Sequence, residues 1–253
     1  MFPPVPHLGV VMLDTRFPRP PGDIGHPDAF GGPTRHRVVA GAFPRTVVCS
    51  AASLRASGLA ERFVAAVRAL ADGGAAAVTT SCGFLVLLQA QLQAGVAVPV
   101  VTSSLTLLPG LLAAGRRVGV LTIAAQALGS EHLLAAGVAP EQVASLPVEG
   151  VDPAGEFAAA ILGNRHEMDL AQAERDVVAA ARALQARQPQ LTDLVLECTN
   201  MPPYADAVRA ATGWRVFSLL DSPVLARALG PRPGQAANSP RGVGTIDDYL
   251  RSL

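Results

Sequence analysis

Two cysteines in this chain stand in the same local setting. Cys82 ends the apolar run "AAAVTTSC", and a second apolar run, "GFLVLLQAQLQ", leaves directly after it. Cys198 ends "TDLVLEC", and a helical pattern follows the Met201–Pro202–Pro203 step, proline being favoured in a first helical turn. A residue at the carboxyl end of a parallel strand lies at the edge where ligands bind. The helix that follows turns its free N–H groups and the positive end of its dipole back toward that residue. Such a setting lowers a thiol's pKa and favours the thiolate, and the same N–H groups can hold a carboxylate. If the two units face each other, one thiolate can remove a carbon-bound proton while the other thiol delivers one to the opposite face. That is two-base racemisation or epimerisation of a small acid, with no cofactor. A lone cysteine after a strand is ordinarily core packing; the repetition of the unit in each half argues for chemistry. Cys49 ends "RTVVC" but has no counterpart in the other half, and reads as structural.

The elements that must position these thiols follow from hydrophobic patterning. Strands are expected at Leu8–Leu13, Arg45–Val48, Ala75–Thr80, Val98–Thr102, Arg117–Thr122, Gln142–Pro147, Asp193–Glu197 and Trp214–Leu219. Most are apolar throughout, as befits strands covered on both faces. Helical patterns lie between them at Leu59–Ala71, Phe84–Gln93, Ser104–Ala114, Ala124–Ala136, Met168–Ala186, Pro203–Ala211 and Ser222–Leu229, several stopped by glycine. Repeated βα units imply α/β architecture with doubly wound, mostly parallel sheet. Two segments break the pattern. Phe17–Arg37 is rich in Pro and Gly, follows the first strand, and should lie over the carboxyl end of the sheet. Pro231–Leu253 is polar and turn-rich; it can pack on the body or on a second copy of the chain, which leaves a homo-oligomer open.

Bulk composition excludes several classes. The chain has 253 residues, 20 basic and 20 acidic side chains, and is half hydrophobic. A balanced charge offers no footprint for nucleic acid or an anionic membrane surface. No apolar run is long enough to span a bilayer, and the first residues lack the charged and apolar regions of a signal peptide. Three widely spaced cysteines make neither a disulfide framework nor a zinc pattern, so free thiols in a reducing cytoplasm are expected. The five histidines (His7, His26, His36, His132, His166) show no metal spacing. "AFGG" lacks the frame of a phosphate loop, and no GxGxxG follows the first strand. Glu197 adjoins Cys198, but neighbouring strand residues point to opposite faces, so it reads as a carboxylate that supports the site from behind or is structural, rather than as a general base. "GNRHEMD" at Gly163–Asp169 reads as a solvated turn.

"TTSCGF" and "ECTNMPPY" resemble the two cysteine motifs of the aspartate/glutamate racemase superfamily, which includes aspartate, glutamate and hydantoin racemases, maleate isomerase and arylmalonate decarboxylase. The resemblance runs from about Leu8 to Leu229 and includes the "VPVVTSS" and "RRVGVLT" strands. It implies two pseudo-symmetric α/β lobes with the active site in the cleft between them. The expected lobes are residues 1–114 with 214–253, and residues 115–213. It also implies cofactor-independent acid/base chemistry by Cys82 and Cys198. Ser81, Gly83 and Phe84 beside the first cysteine, and Thr199 and Asn200 beside the second, would bind a substrate carboxylate. Asp14 and Thr15 resemble the Asp-Ser after the first strand of glutamate racemases, and Thr122 the hydroxyl residue after the "GVLT" strand. Gly83-Phe84 and Asn200 stand where glutamate racemases usually carry Asn-Thr and His. Arylmalonate decarboxylase lacks the first cysteine, which this chain retains. The expected activity is therefore a racemase or epimerase, an isomerase of a small carboxylic acid such as an amino acid. A maleate-type isomerase, a decarboxylase and a non-catalytic small-acid binding protein are the alternatives.

Overall fold

The computed structural model describes residues 6–230. The expected tail at Pro231–Leu253 lies outside the described residues. Eight strands form two parallel sheets. The first holds β1 (His7–Leu13), β2 (Thr34–Val39), β3 (Ala75–Thr80) and β4 (Val100–Val101) in the order β2-β1-β3-β4. The second holds β5 (Val118–Thr122), β6 (Val148–Gly150), β7 (Asp193–Leu196) and β8 (Arg215–Phe217) in the order β6-β5-β7-β8. The two orders are the same topology written twice. Each sheet reverses direction of winding beside its first strand, the place where open α/β sheets bind ligands. Cys82 follows β3 and Cys198 follows β7, so the cysteines occupy equivalent switch points.

The apolar strand runs are explained by burial on both faces. Along β1, Val11 and Leu13 enter a large core that also takes residues of β5 and β7, whereas Leu8, Val10 and Met12 enter a second cluster with Ile24, Phe30, Leu219 and Leu225. The long helices, Ala60–Asp72 and Leu170–Arg187, each present a buried stripe to the sheets. Asp169 caps the second of these by accepting from the Gln172 amide at 3.0 Å.

Four local expectations need correction. Arg45–Val48 is not a strand: Pro44–Val47 is a single helical turn begun by proline. Inside Phe17–Arg37 lies the start of β2, an edge strand whose Arg35, His36 and Arg37 are exposed. The strand expected at Gln142–Pro147 is displaced to β6, and Pro140–Val143 is helical. The division at residue 214 also fails locally. β8 pairs with β7 in the second sheet, and the chain returns to the first lobe only after it, with Leu219 and the helix Pro223–Leu229 packing on β1 and β3.

Candidate functional site

The loops after β1, β3, β5 and β7 converge on one narrow cavity. It encloses about 320 Å³ counted out to its mouth, of which only about 20 Å³ is open to the centre of a water-sized molecule. Any ligand larger than a water or two therefore has to part the walls. Leu13, Phe17, Pro44, Val48, Phe84, Ile123 and Ile161 make it apolar; Ser81, Cys82, Gly83, Glu197, Cys198, Thr199 and Asn200 complete the wall. Among the described residues, no lysine, arginine or histidine lines it.

Two hydrogen bonds join the loops of the first sheet to the second cysteine segment, one of them from motif to motif. Thr199 Oγ1 donates to the Ser81 carbonyl at 2.7 Å, and Ser104 Oγ to the Leu196 carbonyl at 2.7 Å. Both cysteines are 6% exposed. Cys82 starts a 3-10 turn, Gly83–Leu88, with extended backbone, and the Phe84 and Leu85 amides face its sulfur. Cys198 Sγ lies 3.6 Å from Asn200 Oδ1, and Asn200 Nδ2 donates to Asp23 Oδ2 at 2.7 Å. Asp23 in turn pairs with Arg19 at 2.7 Å and accepts from the Gly25 amide. The Pro- and Gly-rich segment thus clamps the second cysteine motif; the Ile24 amide also donates to the Thr199 carbonyl at 3.1 Å.

The thiols do not have the lowered pKa that their placement suggested. Burial, then the charge of Glu197, pushes Cys82 up to about 12, against the opposing pull of the Phe84 and Leu85 amides. Cys198 is raised well above its ordinary value by burial and Glu197 against the Asn200 amide. The physical reason is short helices: each cysteine is followed by a 3-10 turn, which concentrates little dipole, while full burial penalises the anion.

Of the ten expected site residues, Ser81, Cys82, Gly83, Phe84, Cys198, Thr199 and Asn200 line the cavity. Asp14, Thr15 and Thr122 do not. The Asp14 carboxylate accepts from the Gly41 amide at 2.9 Å, and Thr15 accepts from Arg19 at 3.0 Å; Leu13 takes the cavity wall instead. Thr122 is fully buried and donates to Glu197 Oε2 at 2.7 Å. Thr199 has its one hydroxyl proton committed to Ser81, so it is a brace between the motifs. Cys49 lies outside the lining and turns its Sγ to the Thr46 carbonyl.

Sequence reasoning missed Asp23, hidden in an irregular loop with no spacing signal beyond Arg19 four residues before it. It also misjudged Glu197. β7 ends at Leu196, so strand alternation no longer governs the next side chain. The carboxylate folds back against Gly83, where any Cβ would collide with it and with the Glu197 carbonyl. "GNRHEMD" is not only a solvated turn: Asn164, at φ 52°, accepts from the Arg16 amide at 2.7 Å and donates to the Asp14 carbonyl at 3.2 Å, tying the sheets together.

Comparison with known proteins separates fold from lineage. No family model matches the chain. The structure of unliganded arylmalonate decarboxylase superposes with a TM-score of 0.56 at 19% identity, over 96% of this chain and 99% of that one. A glutamate racemase isoform from Bacillus anthracis gives 0.52 at 15%, over 87% and 79%. The chain shares the fold of arylmalonate decarboxylase and glutamate racemase. Sequence relatives point elsewhere for activity. A dimethylsulfoniopropionate lyase of Durusdinium sp. clade D is 32% identical over 222 residues, 85% of this chain and 72% of that protein. Dimethylsulfoniopropionate lyase 6 of Emiliania huxleyi (strain CCMP1516) is 32% identical over 244 residues, 86% of this chain and 61% of its own length. These matches overturn the expected racemase, epimerase or isomerase, because the likeness to racemases is one of fold at low identity and the relatives at 32% are named as lyases. With 32% identity sustained across most of both sequences, the chain belongs to the dimethylsulfoniopropionate lyase family.

Proposed function

We propose that this protein is a lyase that cleaves dimethylsulfoniopropionate by β-elimination, with a thiolate of the Cys82–Cys198 pair as the base. The reading rests on the 222-residue match to a lyase, and the chemistry of the cavity agrees with it. The substrate is a zwitterion, with a carboxylate at one end and a dimethylsulfonium at the other. A base removes a proton from the carbon next to the carboxylate. Those electrons form the carbon–carbon double bond, the carbon–sulfur bond breaks, and its electrons leave with sulfur. Neutral dimethyl sulfide and acrylate result, and one proton is released to the medium.

The lining suits this ligand better than a diacid. One substrate carboxylate can be met by the backbone N–H groups that follow each cysteine. A second would find no cationic partner on the wall, and burying an unpaired carboxylate is costly. A sulfonium carries its own positive charge into the cavity, where Glu197 is the one carboxylate among the described residues. That charge, placed beside the thiols, favours the thiolate and offsets part of the burial penalty.

The test is direct. Purified protein incubated with dimethylsulfoniopropionate should release dimethyl sulfide into the headspace and acrylate into solution in equal amounts. Absence of both above the uncatalysed rate overturns the reading.

A further inference from the structure

Five buried side-chain atoms lack a hydrogen-bond partner among the described residues, and Glu197 Oε1 alone belongs to a residue of the cavity wall. Its sister oxygen, Oε2, accepts from Thr122 at 2.7 Å. The carboxylate presses on Gly83, the neighbour of Cys82, and Cys198 is the next residue in the chain. A side chain at residue 83 would displace it. An orphaned, fully buried carboxylate oxygen is expensive, and here it shares a cavity wall with two thiols that must ionise to act, and its charge is felt by both.

We propose that Glu197 is the internal proton acceptor of the site, taking the proton that a thiol of the pair sheds before that thiol can act as a base. The step balances: Cys–SH and Glu–COO⁻ become Cys–S⁻ and Glu–COOH. The thiolate then takes the substrate proton and returns to the thiol as dimethyl sulfide leaves. Glu–COOH finally gives its proton to water, which accounts for the one proton the elimination releases. Up to proton abstraction the two groups share one negative charge; after it both are neutral, and the charge returns when Glu–COOH loses its proton. Moving that charge from carboxylate to sulfur avoids burying a second anion; burial raises both thiols most, and the charge of Glu197 adds to it. Burial lifts Glu197 to about 7, opposed by the Thr122 hydrogen bond, so it can both take and release a proton near neutrality. The groups that face it are Thr122 from β5, Cys82 from the β3 loop and Cys198 beside it; Asp23 acts on Cys198 from the far side.

This inference rests on the lyase reading for its substrate, but not for its test. In the protein without substrate, iodoacetamide modification of each cysteine is followed against pH by peptide mass spectrometry. Elimination of dimethylsulfoniopropionate is followed over the same range. With Glu197 in place, modification of the ionising thiol should rise about tenfold per pH unit and level off near pH 7. Glu197→Gln, which keeps the shape and can still accept from Thr122, should abolish that inflection. It should also lower kcat by 100-fold or more, the scale of acid/base catalysis, with KM changed less than threefold. Thr122→Val, which leaves the carboxylate but removes its donor, should move the inflection to higher pH. An inflection that survives in Glu197→Gln, or an unmoved one in Thr122→Val, overturns the proposal. Loss of the inflection in Glu197→Gln without any elimination by the unsubstituted protein would sink the substrate reading and leave the proton acceptor standing.

Discussion

Cys82 and Cys198 were legible because their setting repeats: an apolar strand, a thiol, and a helical start. Glu197 was not, because its role depends on where β7 stops, one residue before it. Periodicity places a side chain only while the strand lasts. Asp23 was equally hidden, since an acid within a proline-rich loop has no period to betray its direction. The first prediction belongs to these side chains. Cys82→Ala and Cys198→Ala should each reduce kcat/KM for dimethylsulfoniopropionate by at least about 100-fold, measured by headspace dimethyl sulfide. Cys49→Ala, outside the lining, should stay within threefold. Comparable activity in all three would remove the thiol pair from the mechanism. A second prediction concerns the clamp: Asp23→Asn breaks the charge-assisted bonds that hold Asn200 and Arg19. It should speed alkylation of Cys198 relative to Cys82.

Strands buried on both faces announced themselves as apolar runs, and β1, β3, β5 and β7 fall close to their expected positions. The exceptions have physical causes. β2 is an edge strand carrying exposed Arg35, His36 and Arg37, charge that protects an open edge and erases the apolar signature. Pro44–Val47 is four residues, Pro-Arg-Thr-Val with only its ends buried, too short for period 2 and period 3.6 to be told apart. The turn after Cys82 depends on an element-level fit, since Gly83 leaves room for the Glu197 carboxylate and carbonyl. Gly83→Ala should therefore destabilise the protein by about 1–3 kcal/mol, the usual cost of overpacking. In a protein of this size that lowers Tm by roughly 2–4 °C per kcal/mol. Backbone carbonyl atoms cannot rotate away, so an unchanged Tm would mean that this contact is not as close as described.

At the scale of the molecule, one buried carboxyl links stability to pH. Glu197 titrates near 7 when folded and near 4.5 in an ordinary environment, so the folded state holds the proton more tightly. The stability it contributes is complete below about pH 4.5 and is lost as pH rises through 7, on the order of 3 kcal/mol. The difference in Tm between the unsubstituted protein and Glu197→Gln should change across pH 5–7 and be flat above pH 8. A constant difference would show that the carboxyl is not held protonated by the fold. A strand–cysteine–helix unit in each half was legible in the chain, and the two lobes in its resemblance to the racemases; the bonds that close the cavity, made by Asn164, Thr199 and Ser104, were not, because they join residues far apart in sequence through single polar atoms. No helix among the described residues is long and apolar enough to cross a membrane.

The two cysteines follow strands of different sheets, and their loops are joined through Thr199 and Ser81. A molecule held between them has a left and a right side that the protein does not treat alike. The carbon next to the carboxylate of dimethylsulfoniopropionate bears two hydrogens that are mirror-related but chemically identical in water. Between fixed thiols they are no longer equivalent, because an elimination needs one base and each sulfur can reach only its own side. With substrate carrying deuterium at one of these positions in a single handedness, the acrylate should keep the label completely from one enantiomer and lose it completely from the other. A primary isotope effect should accompany only the loss.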